Sequence, residues 1–160
     1  MASTLFVDAK MTKPMYLDEK NFYGTVVDLE SGLTIGDKPW FIECFAPWCP
    51  HCKKLAPTWD ELYTRDNDKV NIARIDCTSI TGEPLCDHFE VTGYPTLLFF
   101  PLGESKYNEY HGHRNVEAFE RWLEEEMWVD EADKAESIIP EDKTFMEENL
   151  PTTNAIWTSL

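Results

Sequence analysis

The sequence predicts an α/β domain, a central sheet flanked by helices, and three observations lead to it. Residues 40–46 (Trp-Phe-Ile-Glu-Cys-Phe-Ala) and 96–100 (Thr-Leu-Leu-Phe-Phe) are dense apolar runs, with the length and continuity of strands covered on both faces. Leu55, Trp59 and Leu62, and later Val116, Phe119, Trp122 and Leu123, recur at helical spacing. The two kinds of segment alternate along the chain, the pattern of a layered α/β sandwich.

Residues 1–13 carry no periodicity and read as a lead-in or an added edge segment. Asp18, followed by Phe22, Val26, Val27 and Leu29, predicts an N-capped helix ending near Gly32. A turn over 36–39 leads into the buried strand at 40–46. After Pro47 the period becomes helical, and Asp66, Asn67 and Asp68 close that helix. Residues 70–76 alternate as a strand, 84–89 suit a short helix, and 96–100 form the second apolar strand. Leu102-Gly103 makes a turn, and 106–110 returns as the edge strand of a hairpin before the last helix covers the sheet. The order reads βαβαβαββα, without internal repeat. From residue 124 onward apolar residues such as Trp128, Ile138, Phe145 and Trp157 are numerous enough to dock. Pro140 and Pro151 nevertheless forbid one long helix, so residues 127–160 read as a partly ordered acidic extension.

Length and composition fit one domain with a real core: 160 residues, 42% hydrophobic, with 6 Trp, 6 Tyr and 9 Phe. The net charge is −16, and residues 124–160 hold 11 acidic against 2 basic side chains. Such a balance argues against nucleic acid or an anionic membrane as partner, and the acidic end needs no role beyond solubility. No apolar run is long enough to span a bilayer. Neither a signal peptide nor a retrieval signal stands at the ends, so the expectation is either a cytosolic chain or one whose targeting segments have been removed.

Cys49-Pro50-His51-Cys52 is the most reactive-looking stretch. Two thiols at this spacing can close a small disulfide ring and reopen it. The motif lies between a buried strand and a helix start, and Pro50 suits the first helical turn because no acceptor is needed there for its missing amide. Unpaired amides and the helix dipole at that point stabilise a thiolate, and His51, Lys53 and Lys54 add positive charge nearby. Cys49 is therefore the expected nucleophile and Cys52, one turn inside the helix, the resolving thiol. A zinc site would need a second closely spaced pair. Cys77 and Cys86 are too widely spaced for that, even with His88 beyond them, so no metal and no cofactor are expected. Cys77 and Cys86 are compatible either with a second disulfide or with two free thiols. Cys44, inside the apolar run, reads as an inert core thiol.

Four stretches taken together, Phe45-Ala-Pro-Trp-Cys-Pro-His-Cys-Lys-Lys-Leu-Ala-Pro57, Ile75-Asp-Cys-Thr78, Val91-Thr-Gly-Tyr-Pro-Thr96 and Tyr110-His-Gly-His-Arg114, resemble the successive motifs of a catalytic domain of the protein disulfide isomerase family. The resemblance covers about residues 14–126. It implies a thioredoxin fold with a central mixed sheet, and thiol–disulfide exchange on polypeptides. It also implies unfolded or partly folded clients, glutathione or an upstream sulfhydryl oxidase as redox partner, and the endoplasmic reticulum lumen or another oxidising compartment as location. Pro95 matches the family's cis-proline, Glu43 the buried acid that exchanges a proton with the resolving cysteine, and Arg114 the mobile arginine that lowers that thiol's pKa. Trp48, Tyr94 and Pro95 would form an apolar rim for substrate, and Cys77 and Cys86 stand where some members carry an extra cysteine pair. A carboxyl in an apolar strand is suited to proton exchange near neutrality on physical grounds as well.

Three departures from the pattern alter the expectation. Arg74 stands where the family commonly has a lysine beside the buried acid, and an arginine keeps its proton. Thr92 replaces the usual arginine before Gly-Tyr-Pro. Pro-His replaces the usual Gly-His between the cysteines and is the pair found in a bacterial periplasmic disulfide donor, which points toward an oxidase. Two other readings compete: a thioredoxin-like reductase, with a more reducing potential and free Cys77 and Cys86, and a non-enzymatic chaperone or adaptor on the same fold.

Overall fold

The computed structural model describes residues 12–136, with side chains described to residue 127. The chain divides into two compact units, Met1–Met127 and Trp128–Leu160, and every site below lies in the first. The expectations for the lead-in before residue 12, and for Ile138, Phe145 and Trp157 in the acidic extension, lie outside the described residues.

Five strands, β1 (Met15–Tyr16), β2 (Trp40–Phe45), β3 (Asn71–Asp76), β4 (Thr96–Phe100) and β5 (Asn108–Glu109), form one mixed sheet in the order β1-β3-β2-β4-β5. β1 and β2 both run parallel to β3, while β4 runs antiparallel to β2 and to β5. Among them are α1 (Pro50–Asp66), α2 (Glu83–His88) and α3 (Val116–Glu136). β2 is central and flanked on both edges, which is why its sequence reads as an unbroken apolar run: Trp40, Ile42 and Cys44 point to one face, and Phe41 to the other.

Each face is sealed by different elements. On one side α1 and α3 bring Leu55, Trp59, Leu62, Phe119 and Leu123 onto Phe41, Ile72, Leu97 and Phe99. On the other, Leu85 and Cys86 of α2, with Phe22 and Val26 from the segment before β2, cover Ile42, Cys44, Ile75 and Leu98. The side chains of Trp59, Phe41, Phe99 and Phe119 are wholly buried, so removing any one would cost about 3–5 kcal/mol.

The helix expected from Asp18 to Gly32 does not form. The Asp18 carboxylate accepts from the backbone N–H groups of Lys20 and Asn21, which closes a turn instead of capping a helix. Gly24 then takes φ +88°, outside the helical region, and Val27 bridges to Thr34. Burial of Phe22 and Val26 accounts for the misleading spacing, because a chain of tight turns also returns every fourth residue to the core. The hairpin's edge strand is shorter than 106–110, pairing only at Asn108 and Glu109, whose side chains are exposed.

Candidate active site

The strand β2 delivers the chain to the site, and α1 begins it. Cys49 is the N-cap of α1 with extended backbone (φ −73°, ψ 123°), and Pro50 occupies the first turn. Pro50 removes no useful donor: the amides that face the Cys49 sulfur belong to Cys52 and His51. As a neutral thiol Cys49 makes no capping hydrogen bond and instead donates to the Tyr94 carbonyl at 3.6 Å. As a thiolate it is stabilised first by the Cys52 N–H, then by the His51 N–H and the Cys52 thiol, with the Arg114 charge adding to them; together they hold its pKa below the ordinary thiol value.

Cys52 is its opposite. Burial, the largest cause, together with the neighbouring Cys49 and Glu43, pushes this thiol up to about 11, only partly offset by the Ala46 backbone. Cys49 is thus the more readily ionised thiol of the pair, while Cys52 holds its proton at neutral pH until something removes it.

Glu43 and Arg74 lie beneath the pair. Both are on the α1 face of the sheet, opposite each other in the β2–β3 register. The Arg74 Nε donates to Glu43 Oε2 at 2.8 Å, its Nη1 lies 3.1 Å from Asp60 Oδ1, and its Nη2 donates to the Ala56 carbonyl at 3.1 Å. Glu43 is 1% exposed, and burial raises its pKa despite the opposing pull of Arg74. A cavity of about 180 Å³ reaches Glu43, Arg74 and Cys52, with Tyr16, Phe45 and Lys53 also lining it. Cys52 and the buried acid thus share one small chamber large enough for water.

The remaining expected residues surround the cysteines. The Tyr94–Pro95 bond is cis, and Pro95 is buried. Trp48 is 64% exposed and meets Tyr94 edge-on at 6.0 Å, an aromatic pair on the surface near Cys49. Arg114 reaches the Pro95 carbonyl with Nη2 at 3.5 Å, and with His51 and Lys54 it lines a second cleft of about 320 Å³. Cys77 and Cys86 are joined as a disulfide on the far face of the sheet.

A family model described as Thioredoxin matches residues 14–125. The chain belongs to the thioredoxin family. A thioredoxin domain-containing protein 5 homolog of Drosophila melanogaster is 41% identical over 113 residues, which is 69% of this chain and 26% of the fly protein. A protein disulfide-isomerase of Gallus gallus is 42% identical over 91 residues, covering 55% of this chain and 17% of the chicken protein. Among solved structures, the J-Trx1 fragment of ERdj5 superposes with a TM-score of 0.59 at 27% identity, covering 71% of this chain and 49% of that one. The chain therefore spans well under half the length of these curated relatives.

Two groups near the site carried no signal in the sequence. Asp60 is drawn to Arg74 only because α1 lies across β3, and the same crossing brings the Ala56 carbonyl within 3.1 Å of Arg74 Nη2.

Proposed function

We propose that the chain is a thiol–disulfide oxidoreductase that introduces, and also rearranges, disulfides in polypeptide clients. The observation that carries this reading is the asymmetry of the pair: Cys49 at the helix N-terminus with its pKa lowered, Cys52 beneath it with its pKa raised to about 11. A client thiolate attacks Cys49 of the oxidised pair and expels Cys52, giving a mixed disulfide. A second client thiolate then attacks the client sulfur of that bond and releases Cys49 as thiolate. In the reverse direction Cys52 must lose its proton before it can resolve the adduct, and Glu43 is the base within reach of the same chamber. Trp48, Tyr94 and Pro95 hold the extended client, and Arg114 supplies positive charge when a thiolate forms.

Stabilising the thiolate of Cys49 stabilises the reduced form and so makes the disulfide the stronger oxidant. Pro50 favours the same direction, since it preorganises the first turn that presents the two amides. The matching relatives include proteins named disulfide-isomerase, and the disulfide at Cys77 and Cys86 suits an oxidising compartment. On this reading the location is the endoplasmic reticulum lumen, and oxidising equivalents come from glutathione disulfide or a sulfhydryl oxidase. No described helix is long and apolar enough to cross a membrane.

The test is the equilibrium potential of the Cys49–Cys52 couple against glutathione, with refolding of a reduced, disulfide-containing client. The expected value lies well above the roughly −270 mV of thioredoxin. Cys49→Ser abolishes client oxidation. A potential near that of thioredoxin assigns the chain to reduction, and full activity in Cys49→Ser makes it an adaptor.

A further inference from the structure

Cys44, Cys77 and Cys86 converge on the sheet face opposite Glu43 and Arg74. Strand parity does this. Trp40, Ile42 and Cys44 share one face of β2, and Ala73 and Ile75 share it on β3, with Cys77 next in phase. The Cys77 N–H donates to the Phe45 carbonyl at 2.9 Å, extending the ladder by one step and keeping Cys77 beside Cys44. α2 lays Cys86 over both. All three sulfurs lie within 4.8 Å of one another, and the three residues are 0%, 5% and 3% exposed. Two of the sulfurs are bonded, while the third is a free thiol.

We propose that Cys44 is the third member of an internal thiol–disulfide exchange set, able to take over the bond from either Cys77 or Cys86. The Cys44 thiolate attacks one sulfur of the Cys77–Cys86 bond. A Cys44–Cys77 or Cys44–Cys86 bond forms as the old one breaks, and the expelled cysteine leaves as a thiolate that takes up the proton Cys44 gave up. Nothing is oxidised or reduced overall, so no outside oxidant is needed. This chemistry is separate from the Cys49–Cys52 couple and stands whether or not that couple acts on clients.

The three pairings tether different elements. The bond in the structure joins the end of β3 to α2 across a sequence separation of 9. A bond from Cys44 ties β2, the strand that runs into Cys49, to α2 or to the end of β3, and closes a longer loop, which constrains the unfolded chain more. Exchange is slow in the intact fold because burial pushes the Cys44 thiol up to about 12, with Glu43 on its own strand and Glu109 on β5 adding negative charge. Leu85 and Cys86 pack against Cys44 from α2, so opening of this short helix is the motion that admits in-line attack.

The decisive protein is Cys49→Ala/Cys52→Ala, in which Cys44 is the single free thiol. The protein is incubated without added thiol at pH 7, 8 and 9, quenched in acid, unfolded, labelled with a maleimide and digested with pepsin for mass spectrometry. Label moves from Cys44 to Cys77 or Cys86 with time, about tenfold faster per pH unit, matching the rising thiolate fraction. Label confined to Cys44 at pH 9 over days overturns the proposal, as does a rate that grows with protein concentration. Cys77→Ser and Cys86→Ser in the same background, equilibrated with reduced and oxidised glutathione, form Cys44–Cys86 and Cys44–Cys77 respectively. Glutathione adducts or free thiols in both, with no protein disulfide, overturn it too. Failure of either serine variant to fold leaves the decision to the first measurement.

Discussion

Arg74→Met isolates the buried ion pair. Its partner Glu43 has a 2% exposed side chain and that of Arg74 is 10% exposed, so loss of the guanidinium leaves a carboxylate buried without its 2.8 Å partner. Breaking such a pair costs about 3–5 kcal/mol. At a urea slope of about 2 kcal/mol/M this lowers the unfolding midpoint by roughly 2 M. The cost depends on pH in a defined direction. The folded pKa of Glu43 is raised by burial, so its contribution to stability is complete below the unfolded value near ~4.3 and declines as pH rises through the folded value. Arg74 pulls that pKa down, and removing it raises the value further. The variant's deficit against wild type is therefore smaller at pH 5 than at pH 8, because lower pH favours the protonated carboxyl that needs no guanidinium beside it. Urea titrations of the oxidised proteins at the two pH values measure it. Replacing both partners, Glu43→Leu/Arg74→Met, recovers most of the loss, because no uncompensated charge remains. A deficit below about 1 kcal/mol at pH 8, or one that is larger at pH 5, would refute the picture of a desolvated pair.

Two other outcomes follow from the same geometry. In the reduced protein, brief iodoacetamide treatment at pH 7 alkylates Cys49 and spares Cys52, and Cys52 becomes reactive only as pH climbs toward about 11; equal labelling at pH 7 would contradict the assigned roles. Glu43→Gln leaves Cys49 alkylation unchanged but slows resolution of a Cys49–peptide mixed disulfide on the order of 10²-fold, read by stopped-flow release of the peptide, whereas equal resolution rates would mean that solvent alone deprotonates Cys52.

Most of the sheet could be read from the sequence because its signals are local. The doubly buried β2 and β4 are apolar throughout, and α1 and α3 repeat Leu55, Trp59 and Leu62, or Val116, Phe119 and Leu123, on one face. The segment 18–34 misleads because its apolar spacing is helical, yet Asp18 closes a turn with Lys20 and Asn21 and is also bonded by Thr81 from far off in sequence, and Gly24 takes a left-handed φ. Motif residues Cys49, Cys52 and Pro95 are adjacent in the structure because the loop at Tyr94 abuts the start of α1. The Arg74–Asp60 contact and the third sulfur beside the Cys77–Cys86 bond depend on strand register, which no single segment encodes.

Arg74 in place of a lysine narrows how a proton can leave Cys52. A buried lysine beside a carboxyl can share the proton; a guanidinium stays charged across the accessible pH range. Arg74 also cannot swing freely, being held by Glu43, Asp60 and the Ala56 carbonyl at once. Glu43 is then the group of the pair that titrates, and the shared chamber of about 180 Å³ is its route to solvent. On the proposed reading, its pKa sets the rate of resolution. Burial raises it and Arg74 opposes that rise, so the ion pair tunes how readily the carboxyl accepts and returns a proton. Weakening the pair should therefore move the pH profile of mixed-disulfide resolution to higher pH without moving that of Cys49 attack. Arg74→Lys is the variant to measure, since it retains a charge. An unchanged resolution profile would place proton transfer outside Glu43.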